Sequence, residues 1–148
     1  MADNAINIRN KKANFEYSIM EKFNAGIQLT GTEIKSIRDA KVSITEAYCH
    51  FKDSELFISG MHIAEYDPGS YNNHDPLRVR KLLLNRTELN KLEKKLKNKG
   101  LTIVPLRLYI NENGLAKLEI ALAQGKKLHD KRDSLKEKDI KRDIERMH

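Results

Sequence analysis

The chain has 148 residues, 28 Lys/Arg against 21 Asp/Glu, a net charge of +7 and 39% hydrophobic residues. That is the length of one domain with apolar content enough for a core, and the charge favours anionic partners, nucleic acid before membrane surface. The single cysteine, Cys49, excludes an internal disulfide and a structural zinc site, no apolar run approaches a membrane span, and Met1 to Asn7 lacks the apolar stretch of a signal peptide; all of this suits the reducing cytoplasm.

Residues 1–13 are polar and read as a segment that orders only on a partner. Phe15 to Phe23 alternates in part and reads as a first strand. Thr30 and Glu33 stand at capping-box spacing, flanked by the Leu29 and Ile34 staple, so a helix starts there and runs to about Asp39. Glu46 to Lys52 and Glu55 to Met61 read as strands joined at Asp53-Ser54. In the first, Ala47, Cys49 and Phe51 share one face and Tyr48, His50 and Lys52 the other. A further strand spans His62 to Tyr66. Tyr66 to Pro76 is a loop, with turn chemistry at Pro68-Gly69 and Asn72-Asn73.

Arg80 to Leu84 reads as a strand feeding a second helix. The start signal recurs there, with Asn85 and Glu88 as the box and Leu84 and Leu89 as the staple. Leu89, Leu92 and Leu96 make one apolar stripe, and Lys91, Lys94, Lys95 and Lys99 lie away from it. Gly100 suits a left-handed cap. Val104, Leu106, Leu108 and Ile110 then alternate with Pro105, Arg107 and Tyr109, and Pro105 predicts an edge or a bulge. Asn113-Gly114 marks a tight turn into a last strand carrying Leu118, Ile120 and Leu122. Antiparallel strands with two or three helices and no regular β-α alternation predict a mainly β, α+β domain, either a small barrel or an open sheet.

The charge is local. Residues 78–99 hold nine Lys/Arg against two Glu, a net of +7. The last 24 residues, from Gly125 on, hold nine Lys/Arg against six Asp/Glu, with no proline and no aromatic residue. A stretch so polar cannot bury a core, yet it is rich in helix formers. Ile140, Ile144 and Met147 recur at i, i+4 and i+7, one apolar edge once a helix forms. The expected organisation is therefore a folded module, 1–124, and a basic tail, 125–148, disordered alone and helical in an anionic tunnel.

No catalytic set emerges. His50, His62, His74, His129 and His148 do not fall at metal-ligand spacing, and Cys49 and His50 point to opposite faces of a strand. Asp130 and His129 are adjacent and diverge on a helix. There is no phosphate loop, dinucleotide fingerprint or nucleophile elbow. Neither enzyme activity, metal nor cofactor is expected. Local readings of other residues are structural: Asn85 caps a helix, Glu33 serves the capping box, and strand alternation makes Leu83 a core residue. Phe15 and Tyr17 share a strand face, either packing inward or stacking on bases.

Four segments resemble one family in order and spacing. They are Asn10-Lys11-Lys12-Ala13-Asn14-Phe15-Glu16-Tyr17, Gly31-Thr32-Glu33-Ile34-Lys35-Ser36-Ile37-Arg38, Arg80-Lys81-Leu82-Leu83-Leu84-Asn85 and Gly125-Lys126-Lys127-Leu128-His129-Asp130-Lys131-Arg132. Together they resemble the SsrA-binding protein family (SmpB), partner of transfer-messenger RNA. The resemblance implies an oligonucleotide-binding-type antiparallel β-barrel with flanking helices. It also implies binding to the tRNA-like part of transfer-messenger RNA. Delivery of the alanyl-charged RNA with elongation factor Tu to stalled ribosomes would follow, for ribosome rescue by trans-translation. By the same resemblance the tail enters the small subunit's vacant mRNA channel beside the decoding site.

The implied RNA-contact residues are Leu83 and Asn85 by motif. Phe15, Tyr17, Arg80, Lys81, Lys91, Lys94 and Lys95 join them as candidates by charge and flat side chains. Lys126, Lys127, Asp130, Lys131 and Arg132 match the tail motif, His129 a residue placed near a decoding-centre base, and Ile140 and Met147 supply the tail's apolar edge. Three positions depart from the family pattern: Phe15 replaces the usual histidine, Asn24 a common glutamate and Ile140 a frequent tryptophan. Rival readings are a general RNA-binding or ribosomal protein, an RNA-processing enzyme, and a membrane-surface binder using residues 86–99.

Overall fold

The structure, a computed structural model, describes residues 6–66, 73–98 and 100–125. Twelve elements follow in order: β1 (Asn7–Arg9), α1 (Lys11–Glu16), β2 (Tyr17–Ile27), α2 (Gly31–Arg38), β3 (Val42–Ser43), β4 (Tyr48–Lys52), β5 (Glu55–Ser59), β6 (His62–Ile63), β7 (Arg80–Leu83), α3 (Arg86–Lys95), β8 (Leu101–Ile110) and β9 (Ala116–Gly125). Strands β8, β4, β5, β7, β2 and β9 pair in that order, every pair antiparallel, and β9 returns to β8. The sheet therefore closes into a barrel, which removes open edges. β1 adds to β8 beside β4, and β3 and β6 form a separate small pair.

Alternation fills the barrel. Phe23, Ala25, Cys49, Leu56, Ile58, Leu82, Leu118, Ile120 and Leu122 all belong to one buried core cluster. Strand β8 changes which parity points inward. Its register shifts between Pro105 and Arg107, and both Ile103 and Leu108 are fully buried in that core. One extra residue at a bulge moves the inward set from odd to even positions. The bulge expected at Pro105 is present, and Asp53 and Ser54 take the positive φ of a tight turn between β4 and β5.

Helix α1 covers the outside of β8 and β9. Ala13 packs there with Val104, Leu106, Ala121 and Ala123, joined by the partly buried Tyr17 and Ile19. This corrects two expectations. Within 1–13, residues 7–9 form β1, and Phe15 lies in a helix, so it does not share a strand face with Tyr17. The cause is long-range. Asn10 is buried, its Nδ2 donates to the Pro105 carbonyl at 2.9 Å, and its Oδ1 accepts from Ala13 N–H at 3.3 Å. A polar N-cap anchored 95 residues away leaves no local apolar signature.

The two expected helices stand close to their predicted bounds. Glu33 accepts from the Thr30 backbone N–H at 2.8 Å. Asn85 Oδ1 accepts from Glu88 N–H at 2.8 Å, while Leu89 and Leu92 are buried beneath α3. The strand expected over 62–66 is only the two-residue β6.

Candidate nucleic-acid interface

β7 is the organising strand. Its even positions turn inward, so Arg80 and Leu82 are fully buried, while Lys81 and Leu83 face outward. Arg80 is therefore corrected from an RNA contact to an internal strut. Its Nε donates to Glu33 Oε2 and its Nη1 to the Met61 carbonyl at 2.8 Å. Its Nη2 reaches the Pro76 carbonyl at 3.2 Å. Arg78 clamps the same carboxylate, Nη2 to Oε1 at 2.6 Å, and also donates to the Gln28 carbonyl at 3.1 Å. Glu33 thus does more than cap α2: it ties α2 to β7. Burial pushes its carboxyl up, but hydrogen bonds from Arg78, Thr30 N–H and Arg80 outweigh that and hold it at about 2, below its ordinary 4.5. Burial draws the Arg80 guanidinium below its ordinary value against the pull of Glu33.

Beside this seam, His74 fixes the loop before β7. Its Nε2 donates to the Ile63 carbonyl at 2.9 Å, and its Nδ1 meets the Thr32 hydroxyl, also at 2.9 Å. The carbonyl can only accept, which sets that donor on the ring. Thr32 belongs to the first turn of α2, so loop, helix and strand hold one another.

The outward side of β7 opens onto a groove. It is lined by Gly26 and Ile27 of β2, by Leu29 and the start of α2, by Leu83, and by Leu115 and Ala116 after the β8–β9 turn. Leu83 and Leu115 are 45% and 56% exposed, so the strand-pattern reading of Leu83 as core is overturned. Arg38 and Lys117 stand at the rim. A Cβ added at Gly26 would lie 3.4 Å from Leu83 Cβ, in contact with it. Exposed leucines bordered by cations can pack against the flat side of a nucleoside while the cations meet phosphate. Sequence reasoning missed Leu115, Arg38 and Lys117. The groove comes together from four chain segments, and only the Asn113-Gly114 turn hinted at its outer wall.

The remaining candidates differ in what holds them. Asn85 is exposed at the N-cap of α3, two residues beyond Leu83. Lys81 sits 3.7 Å from Glu55, which also binds Arg86. Lys91 and Lys95 both pair with Glu21 on β2, at 2.5 and 3.0 Å, so the charge of α3 is partly neutralised there. Lys94 is exposed, with no ion pair among the described residues. Phe15 is 44% exposed at the end of α1, whereas Tyr17 packs on the outer cluster. Tyr109 donates to Asn24 Oδ1 at 3.2 Å, so the amide at this departure from the family pattern binds its own barrel. Lys126, Lys127, His129, Asp130, Lys131, Arg132, Ile140 and Met147 lie outside the described residues.

A closed barrel with a cation-rimmed apolar groove has the form of a shape-reading RNA binder, and comparison with known proteins decides the family. The SmpB protein family matches residues 7–148. The chain belongs to the SmpB family. It is 60% identical over 147 residues to the SsrA-binding protein of Phocaeicola vulgatus, covering 99% of this chain and 98% of that one. Against the SsrA-binding protein of Cytophaga hutchinsonii the identity is also 60%, over 142 residues, covering 96% and 93%. Among solved structures it resembles an SmpB chain from "tmRNA-SmpB: a journey to the center of the bacterial ribosome". The TM-score is 0.71 at 45% identity, with 88% of this chain and 94% of that one covered. For an SmpB chain the exposure of Leu83 beside capping Asn85 places two motif residues on one accessible corner of the barrel.

Proposed function

We propose that this chain is an RNA-binding adaptor of trans-translation. It binds the tRNA-like domain of transfer-messenger RNA and brings it to stalled ribosomes. The observation that carries the reading is the groove, which solvent-facing Leu83 and Leu115 line together with Arg38 and Lys117 on a barrel of this family. The protein needs no bond-making chemistry for this role. It supplies a rigid surface, and RNA elbows are recognised through shape, phosphate and unstacked bases. The Glu33–Arg78–Arg80 seam ties α2 to the start of β7 and serves the fold, not the RNA.

Division of labour completes the proposal. Residues 1–124 hold the RNA, and Asn85, Lys81 and Lys94 join the groove in doing so. Residues 125–148 enter the vacant mRNA channel of the small subunit. There Lys126, Lys127, His129, Asp130, Lys131 and Arg132 report the empty decoding site, and Ile140 and Met147 give the helical tail its apolar edge. The RNA arrives alanyl-charged with elongation factor Tu, in the cytoplasm. Two measurements test this. A competition titration sets the tRNA-like domain against ordinary tRNA, and a dedicated adaptor keeps the former. Removing residues 125–148 leaves that affinity intact and abolishes peptide transfer on a stalled ribosome. Equal loss of both activities contradicts the division.

A further inference from the structure

β4, β5 and β7 present a second outward face. Strand parity sends Cys49, Leu56, Ile58 and Leu82 inward and Tyr48, His50, Phe57 and Lys81 outward. Register sets His50 opposite Phe57 and Phe57 opposite Lys81, so one row crosses three strands. The ring centres of Tyr48 and His50 are 5.8 Å apart at 42°, and those of His50 and Phe57 6.1 Å apart at 25°. These are the spacings of attractive ring pairs.

Cross-strand pairing accounts for His50 on Phe57, because such pairs stabilise sheets. It does not account for Tyr48, which ends the ladder and stays 55% exposed. The row is cationic at its Lys52 end, while Glu16, Glu46 and Lys12 share the pocket beside Tyr48. Lys52, Lys81 and Arg86 surround Glu55, whose carboxylate lies 3.7 Å from Lys81 and 2.8 Å from Arg86, leaving a positive excess. His50 Nδ1 lies 3.5 Å from the Ser59 hydroxyl, and its Nε2 has no protein partner among the described residues.

We infer that this face binds an unstacked, single-stranded stretch of RNA. One base lies on the Tyr48 ring, and the sugar-phosphate chain follows Lys52, Lys81 and Arg86. Base-on-ring stacking tolerates any sequence, since every base offers a flat face, and the cations track the backbone. An extended peptide fits less well. It would need an open strand edge, and β4, β5 and β7 are each paired on both sides. The ligand differs from the tRNA-shaped RNA assigned to the Leu83 groove, and the inference stands whether or not that reading holds.

The test is fluorescence anisotropy of the full-length chain with a short labelled oligoadenylate, using parent, Tyr48→Ala and Tyr48→Phe. Loss of one stacked base predicts that Tyr48→Ala binds about 5- to 150-fold more weakly. Tyr48→Phe keeps the ring and binds like the parent. An abasic strand of equal length binds parent and Tyr48→Ala alike, and weakly. The tRNA-like domain is titrated in parallel, and Tyr48→Ala binds it as the parent does. Urea unfolding of Tyr48→Ala checks that the exposed site is altered in a folded barrel. Unchanged oligoadenylate affinity in Tyr48→Ala overturns the inference, as does an abasic strand that binds the parent as tightly as the oligoadenylate. So does a Tyr48→Ala variant that loses a protein partner while keeping the oligoadenylate, which would make this face a protein-docking surface.

Discussion

Strand β7 holds two regions of opposite character within four residues. Arg80 points into the molecule and meets Glu33 in a seam closed to water, whereas Leu83 points out into a groove open to it. A charged residue is buried and an apolar one is exposed. The difference teaches that strand parity and available partners, rather than residue polarity, decide which side chain serves the fold and which serves the ligand. Arg80 can be internal because Glu33 and three backbone carbonyls accept its donors. Leu83 is left outside because Leu82 already fills the inward position.

The contrast breaks most visibly at the seam. Arg80→Ala leaves the Glu33 carboxylate buried with only part of its clamp, and about 3–5 kcal/mol of stability should go, measured by urea unfolding. RNA affinity, corrected for the folded fraction, stays at the parent value; a direct loss of affinity would return Arg80 to the interface.

Acid titration probes the same seam next. Glu33 is held at about 2 in the fold against an ordinary 4.5, so its contribution is fully present above pH 4.5 and is lost as pH falls toward 2. The loss is on the order of 3 kcal/mol. Thermal unfolding between pH 6 and pH 2.5 should show this decline, and Glu33→Gln, less stable throughout, should flatten it.

At the groove the effects move from stability to binding. Leu83→Ala should shift unfolding by less than about 0.5 kcal/mol, as surface substitutions do, yet weaken the tRNA-like RNA about tenfold, as loss of an interface anchor does. Comparable changes in stability and affinity would erase the distinction between the two regions.

The smallest effects belong to α3. Lys91 and Lys95 share Glu21, and Lys94 has no acidic partner among the described residues. Lys94→Ala should therefore lower the log–log salt slope of RNA binding by roughly 0.7–0.9, the share of one phosphate contact. Lys91→Ala should lower it less. Neither should change stability by more than about 1 kcal/mol.

Local chemistry made much of this legible. The capping boxes at Thr30 and Asn85, the leucine stripe of α3, the Asp53-Ser54 and Asn113-Gly114 turns and the Pro105 bulge all announce themselves within a few residues. What stayed hidden depends on distant partners. α1 is six residues long and rests on Asn10 reaching Pro105, so its own pattern is silent. Arg80 sits in a basic run and looks like its neighbours until Glu33 is brought beside it. The groove needs β2, α2, β7 and the β8–β9 turn together, which is why Leu83 was named as a contact while Arg38, though inside a family-like segment, and Leu115 and Lys117, outside all of them, were not.

The most direct test is a binding titration of the full-length chain with the tRNA-like domain of transfer-messenger RNA at low salt, run beside a variant that puts a negative charge into the groove, Leu83→Glu. The account predicts tight, strongly salt-dependent binding by the parent, and loss of that binding in a variant that unfolds at the parent's urea midpoint. Equal binding by both proteins, or no binding by the parent, would contradict it.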